Sequence, residues 1–363
     1  MNIHLQDMSL FASGAFSNVY RGMARSETSN RQQEIVIKKT WPRHRGAPLE
    51  VKILGKLNRL KHKNIVRLLY SYQKEHDGKI CLALIFEYVP LNLHQFLKEN
   101  NRKIDILEVK LITWQLFRGQ AHLQRMEICH RDIKPQNLLY NADTGLLKIS
   151  DFGSSAFQAP KTAHPSYHVT RYYRPPELLL GAKNYGCEID IWSCGCVFAE
   201  LLKGGVFLAG RNTNNQLEQI FDLLGKPSPD ELHAMHASQT KFIEISMSYE
   251  ETSRKMADFS YMLNQTPSCL KERRTAVFNT EINQKDMTES VQLLRQILVY
   301  NPQKRLSGVD FLVSPYFQQV FAEGAVRANK KKITCVTAND WSAVKNGDTT
   351  ITMESISTDE TAL

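Results

Sequence analysis

The chain has 363 residues, 42% of them hydrophobic, and a formal charge of +9. That is enough apolar material for a sizeable core over two or three domain-sized units, and it excludes disorder throughout. Basic residues alternate with acidic ones and no base-reading motif accompanies them, so no nucleic-acid partner is expected.

Seven cysteines occur without C-x-x-C spacing, several inside apolar runs. They read as reduced, buried thiols, which favours the cytosol or nucleus. Residues 1–7 lack the basic and apolar start of a signal peptide. The most apolar run, residues 81–86, is far short of the ~20 residues that span a bilayer, so it reads as a buried strand and no membrane partner is expected.

The first ninety residues are strand-rich. Val19-Tyr20-Arg21-Gly22, Glu34-Ile35-Val36-Ile37-Lys38, Val66-Arg67-Leu68-Leu69-Tyr70 and Leu82-Ala83-Leu84-Ile85-Phe86 are β-branched or aromatic runs between polar turns. Between the second and third, Ile53, Leu57 and Leu60 take helical spacing. From Pro90 the pattern turns helical: Ile112, Leu116 and Leu123 mark one face, and Leu217, Ile220, Phe221 and Leu224 follow i, i+3, i+4, i+7 up to Gly225 and Pro227. Pro90 is the expected hinge, with a nucleotide-sized cleft beside it. Residues 323–363, polar and without apolar periodicity, are expected to be a disordered tail.

The decisive motif is His130-Arg131-Asp132-Ile133-Lys134-Pro135-Gln136-Asn137, with Asp151-Phe152-Gly153 beginning fourteen residues after Asn137. In phosphoryl transfer, a carboxylate at Asp132 accepts the substrate hydroxyl proton, while an amide at Asn137 and a carboxylate at Asp151 hold Mg²⁺ on the nucleotide phosphates. An isolated Asp or Asn is more often a turn former; the ordered octet with D-F-G after it is too specific for that. Lys38 closes a strand, and Glu50, twelve residues on in the helix, supplies the carboxylate that orients such a lysine toward the α/β-phosphates. Arg174-Pro175-Pro176-Glu177 stands where an A-P-E motif closes an activation segment.

Over residues 8–321 the chain resembles the eukaryotic protein kinases, and most closely the glycogen synthase kinase-3 branch. Gln115-Leu116-Phe117-Arg118, the stretch from Ile128 through Leu139, Ser166-Tyr167 and Arg171-Tyr172-Tyr173-Arg174 carry the branch-level likeness. The resemblance implies an α+β, two-lobed fold: an N-lobe sheet with one helix over residues 1–89 and a mainly helical C-lobe over 90–322. It implies ATP and Mg²⁺ as cofactors and protein substrates. Lys134, contacting the transferring phosphate, implies Ser/Thr specificity.

Further roles also follow from the resemblance. Ala12, Gly14 and Phe16 belong to the phosphate-covering loop; Val19, Val36 and Leu139 enclose the adenine, with Gln136 beside the nucleotide. Phe86 is the gatekeeper, and Glu87 to Val89 the hinge. Leu54, His130 and Phe152 form part of a hydrophobic spine. Asp190 accepts from the catalytic-loop backbone, and Arg305 pairs with Glu177. Tyr167 is the activation-loop tyrosine, with Arg171 and Arg174 near enough in sequence to meet its phosphate.

The chain departs from the family in several places. The loop Ala12-Ser13-Gly14-Ala15-Phe16-Ser17-Asn18-Val19 keeps one of three glycines, so weaker nucleotide affinity is expected, with strain at Ser17 if that position needs φ > 0. Val36, where alanine is usual, tightens the adenine slot. Relatives hold a priming phosphate with three cations, and here those positions are Leu49, Arg131 and Ala156, so a requirement for primed substrates is not expected. Few residues precede the loop, so no inhibitory basic segment is expected. A scaffold partner at the C-lobe would use the region of residues 261–286. A monomer is expected, and the alternative to an enzyme is a pseudokinase or scaffold that binds nucleotide poorly. Lys330-Lys331-Lys332 and the terminal Thr361-Ala362-Leu363 are weak nuclear-import and PDZ-type signals.

Overall fold

A computed structural model describes residues 3–14, 17–26, 32–41, 48–76, 79–158, 170–239, 263 and 282–350. The chain divides into one unit built on residues up to Pro90 and a second of Leu91–Thr349.

The first unit is an antiparallel five-stranded sheet, β1 (Ile3–Ser13), β2 (Ser17–Ser26), β3 (Gln32–Thr40), β4 (Leu68–His76) and β5 (Lys79–Glu87), in the order β1-β2-β3-β5-β4. Alternation on β3 buries Ile35 and Ile37, which pack with Ala24, Ala83 and Ile85. β1 carries no β-branched run beyond Ile3 and was not expected; it pairs with β2 through two register shifts. At Gly22 a Cβ would lie 2.3 Å from the Met8 sulfur and 2.8 Å from the Gln6 carbonyl, so β1 can approach β2 there only over a glycine. Helix α1 (Leu49–Asn58) buries Ile53, Leu54 and Leu57. At its end the Asn58 amide bonds both the N–H and the C=O of Leu68, fixing α1 to β4.

The second unit is mainly helical. Asn92 and Gln95 form a capping box on α2 (Leu93–Glu99), and Asp105 caps α3 (Ile106–Arg125). α3 and α5 (Glu188–Lys203) are buried on nearly every side, which makes them the central helices. Gly195 of α5 lets Ile297 and Leu298 close on its backbone, since a Cβ would meet their side chains at 2.6 and 2.9 Å. Around this pair lie α4 (Pro176–Leu179), α6 (Thr213–Leu224), α7 (Pro229–Ala234), α8 (Gln284–Ile297) and α9 (Gly308–Leu312). α6 ends at Gly225 with φ 78°, as the sequence predicts. Two small sheets carry the site: β6 (Leu91–Asn92) with β8 (Leu138–Asn141) and β9 (Leu146–Ile149), and β7 (Ile128–Cys129) with β10 (Ala156–Phe157).

The expected disordered tail is corrected over residues 323–350. The Arg327 guanidinium is buried, donating to Glu108 at 3.2 Å, Tyr140 at 3.3 Å and the carbonyls of Ala142 and Asp143 at 2.6 and 2.9 Å. Burial pushes the Glu108 carboxyl up, while Tyr140 and Arg327 pull it back. Helix α10 (Ala338–Lys345) starts on a Thr337–Asp340 capping box, and Asp340 bonds the buried Arg118 of α3 at 2.9 Å. Polar anchors dock this segment, which is why it shows no apolar stripe. Residues 261–286, where a scaffold partner was expected, lie outside the described residues except for 263 and 282–286, and Tyr167 and Phe16 lie outside them too.

Candidate functional site

In the first unit the antiparallel register places Val19 opposite Lys38, and Val36 opposite Phe86 on its other side. Lys38 Nζ bonds Glu50 Oε1 at 2.8 Å, joining β3 to the first turn of α1. Glu87 accepts from the Arg67 N–H at 2.9 Å and its own N–H donates to the Arg67 carbonyl at 3.4 Å, so its carboxylate is committed to the strand beside it. Val89 follows, half-buried.

The turn between β1 and β2 closes with Gly14 N–H donating to the Ser17 carbonyl at 2.8 Å; Ala12 pairs with Val19. Ser17 is absent from the positive-φ residues, so the expected strain there is corrected: Ser17 opens β2 in ordinary extended backbone. Among the described residues a Cβ on Gly14 would meet nothing closer than 3.7 Å, so these residues leave room for a side chain there.

In the second unit, hairpin arithmetic assembles the site. Leu138 pairs with Ile149, so Asn137 falls opposite Ser150, whose N–H and Oγ both donate to the Asn137 carbonyl at 2.9 Å. Asp151 is the next residue, and thus two residues fourteen apart become neighbours. Asp151 sits at φ 62°, ψ 77° and Arg131 at φ 67°. Such left-handed residues cost about 1–3 kcal/mol each and persist where their surroundings hold them.

The hold on Arg131 is visible. Asp190 at the start of α5 accepts from His130 N–H at 2.6 Å and Arg131 N–H at 2.9 Å. Arg131 Nε donates to the Ser154 carbonyl at 2.6 Å. Full burial pushes the Asp190 carboxyl up, with His130 and the two backbone donors opposing it. His130 accepts at Nδ1 from the Asp132 N–H at 3.3 Å, which puts its proton on Nε2, 2.9 Å from the Ser150 carbonyl. Its ring meets Phe152 edge-on at 5.0 Å.

Asp132 gathers three donors. Thr170 Oγ1 donates to Oδ1 at 2.8 Å; Lys134 Nζ and Asn137 Nδ2 donate to Oδ2 at 2.7 and 2.9 Å. Lys134 also reaches Thr170 Oγ1 at 3.1 Å. Thr170 was missed by the sequence reading; its one signal is its place four residues before Arg174-Pro175-Pro176-Glu177. Gln136 is exposed and Leu139 half-buried on β8.

At the Arg174-Pro175-Pro176-Glu177 motif, Glu177 and Arg305 form a buried two-pronged pair at 2.7 Å on both oxygens. Arg171 Nη1 donates to the Arg211 carbonyl at 2.7 Å, and Arg174 is buried. Of the three positions that replace the priming cations, Leu49 is exposed at the head of α1, Arg131 is buried, and Ala156 is buried in β10.

The donor set suits a magnesium–nucleotide complex. Among the described residues no group of three His, Cys, Asp or Glu could hold a metal by itself. The oxygens of Asn137 and Asp151 instead leave most of a coordination shell to phosphates and water, as magnesium prefers.

The sequence profile of the protein kinase domain family matches residues 5–317. The chain is 32% identical over 316 residues to "Glycogen synthase kinase 1" of Pyricularia oryzae, covering 86% of this chain and 72% of that protein. It is 35% identical over 293 residues to "Serine/threonine-protein kinase RIM11/MSD1" of Saccharomyces cerevisiae, covering 79% and 71%. Identity to "Glycogen synthase kinase 3" of Trypanosoma brucei brucei is 34% over 295 residues, covering 79% and 76%. With the Asp132 cluster, the Lys38–Glu50 pair and the Asp190 anchor in place, these matches make the chain a member of the protein kinase family, on a divergent line of its glycogen synthase kinase-3 branch.

Proposed function

We propose that this kinase transfers the γ-phosphoryl group of Mg·ATP to serine and threonine hydroxyls of proteins, with no strict need for a phosphate already on the substrate. The observation that carries the reading is the Asp132 carboxylate, bonded by Lys134 on one oxygen and Thr170 on the other. Bound Mg·ATP supplies the electrophilic phosphorus and divalent charge. Asp132 accepts the proton of the attacking hydroxyl, and Lys134 offsets negative charge on the transferring group. Lys38, oriented by Glu50, binds the α/β-phosphates; Asn137 and Asp151 hold the metal. The name of the yeast relative supports the Ser/Thr assignment. Buried free thiols at Cys129, Cys187, Cys194 and Cys196 support a reducing compartment, the cytosol or nucleus, where we place it as a monomer.

Phosphate incorporation into a generic basic protein, wild type beside Asp132→Asn and Lys38→Met, tests this. Both variants should fall to background with the fold intact. If wild type incorporates no more than they do, with Mg²⁺ or Mn²⁺ and millimolar ATP, a weakly nucleotide-binding scaffold is the function. For priming, a peptide with phosphoserine four residues C-terminal to its target serine is compared with its unphosphorylated form. Similar kcat/KM is expected, and a tenfold preference for the primed form, ~1.4 kcal/mol, would overturn the unprimed reading alone.

A further inference from the structure

Two thiols beside the catalytic loop have no part in this chemistry. Cys129 ends β7 immediately before His130, and Cys187 immediately precedes α5, three residues before Asp190. Their sulfurs lie 3.0 Å apart, and both residues are buried. A disulfide needs about 2.05 Å, so roughly one ångström separates this contact from a bond. The segments that carry the sulfurs are already fastened together. Asp190 binds the N–H groups of His130 and Arg131 through its carboxylate, and its own N–H donates to the Cys187 carbonyl at 3.1 Å. The sulfurs therefore face one another without any search by a loop.

Access comes from a separate feature. Cys187 Sγ donates to Gln158 Oε1 at 3.1 Å. Gln158, with Gly186 and Glu188 on either side of Cys187, lines a cavity of about 320 Å³. That volume holds several waters at ~30 Å³ each, and a hydroperoxide is hardly larger.

We infer that Cys129 and Cys187 form a reversible disulfide site, closed by a hydroperoxide and reopened by thiols, that staples β7 to the start of α5. Cys187 sulfur attacks hydrogen peroxide, the O–O bond breaks, and a sulfenic acid and one water result. Cys129 sulfur then attacks the sulfenic sulfur and the second water leaves. Two thiols and one peroxide give one disulfide and two waters; the sulfurs lose two electrons and the peroxide gains them. A thiol such as glutathione reverses the bond by exchange. Contact with Cys129, with burial added, pushes the Cys187 thiol up, so closure is slow beside that of an exposed thiolate.

The full chain is treated with millimolar hydrogen peroxide, free thiols are blocked, and peptides are mapped without reduction. Expected are a linked Cys129–Cys187 peptide pair, loss of two thiols per chain recovered by dithiothreitol, and a reversible rise of about 5 °C in the unfolding midpoint for a loop of this length. Cys187→Ser, which keeps a donor toward Gln158, should show neither linkage nor shift. Half-buried Cys81 and Cys335 are internal comparisons. Oxidation of those two without the linked pair, a linkage that forms only in urea, or a midpoint rise that persists in Cys187→Ser would overturn the inference.

Discussion

The Arg118–Asp340 pair turns an expected disordered tail into a measurable part of the kinase. Both side chains are almost wholly removed from water, at 0% and 2% exposure, and meet at 2.9 Å. Burial lowers the Arg118 pKa, and Asp340 offsets that. Arg118 Nε and Nη2 have no hydrogen-bond partner among the described residues, so the carboxylate is the main compensation for a buried charge. Asp340→Asn removes that charge while keeping an oxygen for the N-terminal cap of α10. Breaking a buried pair from one side costs ~3–5 kcal/mol, and at ~1.3 °C per kcal/mol for a chain of this length the midpoint should fall by roughly 4–7 °C. Calorimetry of the variant checks the fall. The double variant Arg118→Met with Asp340→Leu should recover most of it, because an apolar pair of similar volume is often neutral. A fall under about 2 °C, or a double variant that adds the two single losses, would refute the reasoning that residues 323–350 are held by this contact.

Ser17 puts a side chain where the family has a glycine against the phosphates, so Ser17→Gly should lower the KM for ATP about threefold with little change in kcat; an unchanged or raised KM rejects such crowding. Thr170→Val removes a hydrogen bond to a charged acceptor, worth ~1.5–3 kcal/mol, so kcat should fall about tenfold to a hundredfold with KM for ATP unchanged, and Thr170→Ser should restore it; full turnover in the valine variant would deny Thr170 any role in positioning Asp132. Burial lowers the His122 pKa to about 4 from 6.5, with Arg125 and Arg118 adding to it. Its folded pKa is depressed, so the unfolded chain binds the extra proton between those values. The contribution is complete above pH 6.5 and lost as pH falls toward 4. About 3 kcal/mol of stability should disappear across that window, and His122→Gln should flatten the denaturant-measured profile there; an equally steep profile would assign the loss to other groups.

What the sequence made legible follows from which interactions leave a local mark. Ile35 and Ile37 on β3, and Leu217 and Ile220 on α6, repeat at the period of their element, so strand and helix could be read directly. β1 left no such mark because most of it is exposed, and its place depends on Gly22 more than on its own side chains. Residues 323–350 failed for a related reason: Arg327 and Asp340 are buried by partners at Glu108 and Arg118, more than 200 positions away. Periodicity records burial of apolar faces and is silent about buried ion pairs.

The site was more legible than the tail, since its chemistry constrains residue type at fixed spacing. Asp132, Lys134 and Asn137 lie on one loop and share one carboxylate, while Thr170, an ordinary threonine in sequence, joins them only through the fold. Arg131 raises a sharper question, because it is the one cation retained from a three-cation phosphate pocket. Retention would suggest a residual phosphate role if the side chain were otherwise idle. It is not: Nε is spent on the Ser154 carbonyl and the backbone N–H on Asp190, and the guanidinium favours the ionised form of the neighbouring Tyr185, whose pKa burial raises. Holding a left-handed residue next to Asp132 is sufficient reason to keep an arginine there. With Leu49 exposed and apolar and Ala156 buried in β10, retention of Arg131 is no argument against the proposed unprimed phosphorylation.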